Sequence, residues 1–191
     1  MANLIPDIVP KGTLTAGPQP VLVTGGLQLR AWAASDVPAV VAAYADPDIQ
    51  RWHLQSMDET EAAHWIADWA ARWQNETDAS WAITDLASGA ILGRVGLRGI
   101  HLDEGRGEVA YWVLAPARGR GVAPAAVEAI IGWAFEEVGL HRLELLHSQH
   151  NTASCRVAMK TGFAVEGTMR QFLRHHDGWH DMHVHGRINP S

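Results

Sequence analysis

The chain has 191 residues, 47% of them hydrophobic and 19% charged, and a net charge of -6, which fits one folded domain and argues against intrinsic disorder. Its one cysteine, Cys155, excludes an internal disulfide framework and every multi-cysteine zinc or iron–sulfur motif. No apolar run reaches the roughly 18 to 20 residues of a membrane span, and the negative charge gives no basis for binding nucleic acid along a whole face, so a cytoplasmic protein without membrane or nucleic-acid partners is expected.

Residues 1–26, rich in proline and glycine and without a period of 2 or 3.6, read as a flexible arm, which leaves 27–191 as a single domain. A short strand is expected from Leu27 to Trp32, then a helix capped by Ser35 and running to about Tyr44. Asp58 with Glu61 opens a second helix, on which Ala62, Trp65, Ile66, Trp69 and Trp73 form one face. That stripe either packs on a sheet or walls an acceptor site. Trp81 and Ile83, the turn at Ser88-Gly89 and the run Ile91 to Leu97 predict a hairpin. Further strands are expected over Gly107 to Leu114, Arg142 to Ser148, Phe163 to Thr168 and His180 to Arg187, with helices over Val122 to Val138 and Thr152 to Thr161. The sum is a mixed α/β sheet domain.

Between a predicted strand and a predicted helix lies Arg118-Gly119-Arg120-Gly121-Val122-Ala123. Two glycines let the backbone turn tightly, and the helix that follows points its unpaired amides and positive dipole end at the same place. Such a turn is an anion cradle suited to a pyrophosphate. It lacks the Gly-Lys-Ser/Thr of a nucleotide-binding P-loop and the third glycine of the dinucleotide fingerprint.

This segment resembles motif A of the GNAT superfamily of acyl-CoA N-acyltransferases, and other motifs follow in register. Glu108 to Val113 resembles the Glu-x-Gly-Tyr-Trp strand of the RimJ/RimL-like subgroup, the ribosomal-protein N-terminal acetyltransferases. Asn151 to Ser154 resembles their Asn-x-x-Ser helix start, Thr161 to Gly167 their turn into the sixth strand, and Asp177 to Asp181 the hairpin before their last strand. The resemblance covers roughly residues 27 to 188. It implies a GNAT fold: a central, mostly antiparallel sheet of six or seven strands, splayed between its fourth and fifth, with about four helices.

It also implies acetyl-CoA or another acyl-CoA as co-substrate. Val113 and Leu114 would pair with the pantetheine arm, the amides of Arg118, Gly119, Arg120, Gly121, Val122 and Ala123 would hold the pyrophosphate, and Asn151 would bond the pantetheine amide. Glu108 would be the base for the incoming amine and Ser154 the group that protonates the thiolate, because Ala158 stands where much of the superfamily has a tyrosine. Tyr111, Trp112 and His176 are expected to touch the acceptor. Cys155, beside Ser154 on a helix and without triad partners, is expected to pack as a small apolar side chain.

Direct transfer to an amine requires a neutral amine. At pH 7 a lysine amine pays about 4.6 kcal/mol for neutrality and an α-amino group about 1.2 kcal/mol. An acceptor with a free α-amine therefore needs only a modest base. Eleven histidines are many, and His175, His176, His180, His183 and His185 are clustered. Without a cysteine partner or carboxylate at familiar ligand spacing they are assigned no metal, and are placed beside the acceptor mouth, where one of them is the alternative to Glu108 as base. The expected activity is transfer of an acetyl or longer acyl group to a primary amine of a small molecule or peptide. N-terminal acetylation of a ribosomal protein and non-catalytic acyl-CoA binding are the alternatives, and exposed tryptophans would favour a homodimer.

Overall fold

Apolar alternation at Trp81 and Ile83 and again from Ile91 onward builds two central strands of one sheet, in a computed structural model that describes residues 4–190. In chain order the elements are β1 (Leu22–Thr24), β2 (Leu27–Arg30), α1 (Val37–Ala45), α2 (Pro47–His53), α3 (Glu59–Gln74), β3 (Ala79–Asp85), β4 (Ile91–His101), β5 (Arg106–Val113), α4 (Val122–Gly132), β6 (Arg142–Ser148), α5 (Thr152–Lys160), β7 (Ala164–His175) and β8 (Gly178–Ile188). A π-helical turn, Trp133–Val138, continues α4 to Gly139, so the expected helix over Val122 to Val138 is present with a widened last part.

The sheet has eight strands in the order β1-β2-β3-β4-β5-β6-β8-β7, one more than the upper expectation. The extra strand is β1, which lies in the stretch read from sequence as an arm and pairs antiparallel with β2. Parts of that stretch pack on the domain: Val9 and Leu14 are buried in the main core, and Trp81 donates its indole N–H to the Pro20 carbonyl at 2.8 Å. Its prolines block helical periodicity, while single apolar residues between them still find the core. The other addition is α2, which no pattern in the sequence announces. Asp46 caps it by accepting from the Asp48 amide, with Pro47 in the first turn, and at seven residues it is too short to show a period.

Alternation assigns the two faces of the sheet. Leu29, Ile83, Trp81, Val95, Leu97 and Val109 point to the side covered by α4 and α5, in the larger core. Trp112 points to the other side, where it packs with Val40, Ala43 and Tyr44 of α1, Ile49 of α2 and Ala62 of α3. On that side Arg94 is buried against α3, its guanidinium over the Trp69 ring at 4.5 Å, with Nε donating to Ser80 Oγ at 2.9 Å.

One junction is parallel, β5 with β6, and it is short. The register runs Arg106↔Arg142, Gly107↔Leu143, Glu108↔Glu144 and stops, although β5 continues to Val113 and β6 to Ser148. Beyond Glu108 the two strands part. The splay expected between the fourth and fifth strands is therefore here, between β5 and β6 once β1 is counted. No helix among the described residues is long and apolar enough to cross a membrane.

Candidate active site

Where β5 leaves β6, the freed backbone opens a cleft of about 550 Å³ running from the end of β5 to the start of α4 and along α5. Tyr111, Trp112 and Val113 line it from β5, Arg118, Gly119, Gly121, Val122 and Ala123 from the turn into α4, and Asn151 and Ser154 from α5. Residues from three separate sequence motifs are thus brought to one cleft.

The turn is built for close approach. Gly119 and Gly121 have φ of +74° and +77°, and a Cβ on either would meet no atom within 4 Å, so the backbone is bare toward open space. Val122 and Ala123 open α4, and first-turn amides have no acceptor within their own helix. This arrangement fits the diphosphate of a coenzyme. Arg118 braces the turn. Its guanidinium donates to Asp46 at 2.6 Å, to Asp48 at 2.7 Å and to the Val113 carbonyl at 3.1 Å, tying the turn to α2 and the end of β5. Arg120 is exposed and does not line the cleft. Two cations absent from the sequence reading, Arg156 and Lys160, line the cleft from α5 one helical turn apart. Their i, i+4 spacing was the available signal.

At mid-cleft the Tyr111 hydroxyl and Ser154 Oγ share a hydrogen bond of 2.7 Å. Asn151 accepts the Ser154 amide at 3.0 Å and so caps α5 at the point where Ser154 stands. Burial pushes the Tyr111 phenol up to about 12, so it is protonated throughout the physiological range. Ala158, one turn on, is fully buried in the core. His53, at the end of α2, also lines the cleft and was not singled out from sequence. Burial, with the Arg94 charge adding to it, pulls its pKa down to about 4, so the ring is neutral at pH 7.

Glu108 lies outside the cleft wall. At roughly 3.3 Å per strand residue it sits about 13 Å before Trp112, at the last rung where β5 still pairs with β6, and Arg98 engages its carboxylate. Leu114 packs with the Trp112 cluster, and its amide bonds the Leu92 carbonyl at 2.9 Å. His176 is exposed in the β7–β8 turn. Its neighbour His175 is buried, donates to the Arg51 carbonyl at 3.1 Å and meets Trp52 of the cleft edge-on. The histidine-rich hairpin therefore does border the cleft, through His175 and His180 against Trp52.

A family model described as Acetyltransferase (GNAT) domain matches residues 27–164. The uncharacterised N-acetyltransferase YoaA of Bacillus subtilis (strain 168) is 26% identical over 173 residues, which cover 90% of this chain and 98% of that protein. Among solved structures, RimL, a ribosomal-protein α-N-acetyltransferase in complex with coenzyme A, superposes with a TM-score of 0.82 at 19% identity, covering 88% of this chain and 98% of the other. RimJ of Mycobacterium smegmatis, in complex with a coenzyme A disulfide, gives 0.79 at 23% identity over 88% and 86%.

Proposed function

Because the chain belongs to the GNAT acetyltransferase family, an enzyme family that uses acetyl-CoA, we propose that it acetylates a free α-amino group, on a peptide or a small molecule, by direct transfer. The observation that carries this reading is the parting of β5 from β6 onto a two-glycine turn, with the Tyr111–Ser154 pair between them. The names of the relatives, which include α-N-acetyltransferases of ribosomal proteins, favour a peptide or protein N-terminus.

Acetyl-CoA supplies an acetyl thioester whose departing sulfur carries negative charge. The amides of residues 119 to 123 would hold its diphosphate, Arg156 and Lys160 its remaining phosphate, Val113 and Asn151 its amide-bearing arm, and Tyr111 with Trp112 would border the acceptor. Ser154 and Tyr111 then stand as donors to the sulfur. A phenol at about 12 is some 3.5 units weaker an acid than a thiol near 8.5, so full transfer of its proton would cost about 4.8 kcal/mol. The pair acts by hydrogen bonding to the developing thiolate, and the proton comes finally from solvent.

Among the described residues, no strong base stands at the centre of the cleft. His53 is neutral but weakly basic, and Asp48 is engaged by Arg118. Such a site suits an amine that loses its proton cheaply, which selects an α-amine over a lysine side chain. The test is thiol release from acetyl-CoA and longer acyl-CoAs against a panel of N-terminal peptides, amino-acid amides, alkylamines and Nα-blocked lysine. Turnover with free α-amines and little with blocked lysine is expected. The reverse order would overturn the acceptor assignment.

A further inference from the structure

Four side chains that the acyl-transfer site does not use converge beside it. His147 of β6 lies opposite His183 of β8 in the antiparallel ladder, and His185 stands two residues along the same strand, so the three rings leave the sheet on one face. Cys155, of α5, approaches them from the segment that follows β6. One possible ligand atom from each of the four lies within 4.8 Å of the others. None of the four lines the cleft.

The hydrogen bonds around these rings are incomplete without a cation. His147 Nδ1 lies 2.8 Å from the Ser148 carbonyl, which only accepts, so Nδ1 carries the proton and Nε2 presents a lone pair. That lone pair faces His185 Nε2 at 2.9 Å. If the His185 proton sits on Nε2, its fully buried Nδ1 is left bare, without a partner. If it sits on Nδ1, two lone pairs point at each other. His183 Nδ1 is likewise buried and unpartnered. A metal ion removes each of these conflicts.

We propose that His147, Cys155, His183 and His185 form a tetrahedral site for one borderline-soft divalent cation of the zinc class. Three imidazole nitrogens and one thiolate are a zinc-type donor set, and the absence of carboxylates disfavours magnesium and calcium. On coordination the Cys155 thiol gives its proton to solvent, leaving a bound group of charge +1. His183 and Cys155 are half-buried and give the ion its entry, whereas His147 and His185 are buried. The bound ion would pin the first turn of α5, which carries Ser154, to β6 and β8. His147 and Cys155 lie close in sequence, as do His183 and His185, but the two pairs are 28 residues apart, so only the pairing of β6 with β8 assembles the set.

The full chain, stripped with a chelator, is titrated with Co²⁺ and then Zn²⁺. One equivalent of cobalt should give the intense visible bands of a tetrahedral ion and a near-ultraviolet thiolate charge-transfer band, both removed by Zn²⁺. Cys155→Ser should abolish the charge-transfer band, and both it and His183→Gln should weaken zinc by more than the roughly 10–100-fold that loss of an outer-shell partner costs. Exposed His101→Gln should change nothing. Failure to bind one equivalent, an octahedral spectrum, or zinc affinity untouched in folded Cys155→Ser and His183→Gln would each overturn the proposal. If neither variant folds, the cobalt spectrum of the unaltered chain decides.

Discussion

Ser154 shows how one residue's position becomes chemistry. Asn151 caps the helix on its amide, and the freed hydroxyl meets Tyr111 from the neighbouring strand. A hydrogen bond to a developing charge contributes about 1.5–3 kcal/mol, so Ser154→Ala and Tyr111→Phe should each lower kcat by roughly 10–100-fold. KM for acetyl-CoA should stay nearly unchanged, and the double variant should lose less than the product of the two; steady-state kinetics decide. His53 makes a separate prediction. Its folded pKa near 4 lies below the usual 6.5, so the unfolded chain binds the extra proton between those values. Stability should therefore fall as pH drops from about 6.5 to about 4, by up to about 3 kcal/mol from this group. Thermal melts across that window should show a shallower slope in His53→Gln. Neither residue pairing was visible in sequence, since Tyr111 and Ser154 are 43 positions apart and α2 has no period to announce it.

At the scale of elements, the turn into α4 was the most legible part of the site. Glycines at 119 and 121 followed by a helix are a local pattern, and local backbone sterics fix what it can do. Gly121→Asp should abolish coenzyme A binding in calorimetry, because an L side chain is strained at φ +77° and its charge would occupy the space of a phosphate. What sequence did not disclose is the support behind the turn. Arg118 reads naturally as a phosphate ligand, yet its guanidinium is occupied by Asp46 and Asp48, 70 or more positions earlier. Glu108 differs for a similar reason. Glu108 shares a strand face with Trp112, four residues on, but the rung at which β5 and β6 part decides whether that face borders the cleft.

Over the whole molecule, residues 9–14, ahead of β1, are tied to the domain. Gly12 and Leu14 donate their amides to Glu76 at 2.7 and 2.8 Å, and Leu14 is 4% exposed. Leu14→Ala should cost about 2–5 kcal/mol in denaturant unfolding, the range for a buried leucine, whereas a residue on a loose arm would cost almost nothing. By itself the sequence determined what depends on near neighbours: strand alternation, the Asp58–Glu61 capping box, the glycine turn and the Asn151 helix start, because each is set by sterics and hydrogen bonds within a few residues. Only the tertiary structure decided which of these features meet. The cleft, the Tyr111–Ser154 bond, the occupation of Arg118 and the gathering of three histidines with Cys155 all follow from which strands pair and where one pairing ends, and that balance is struck between segments far apart along the chain.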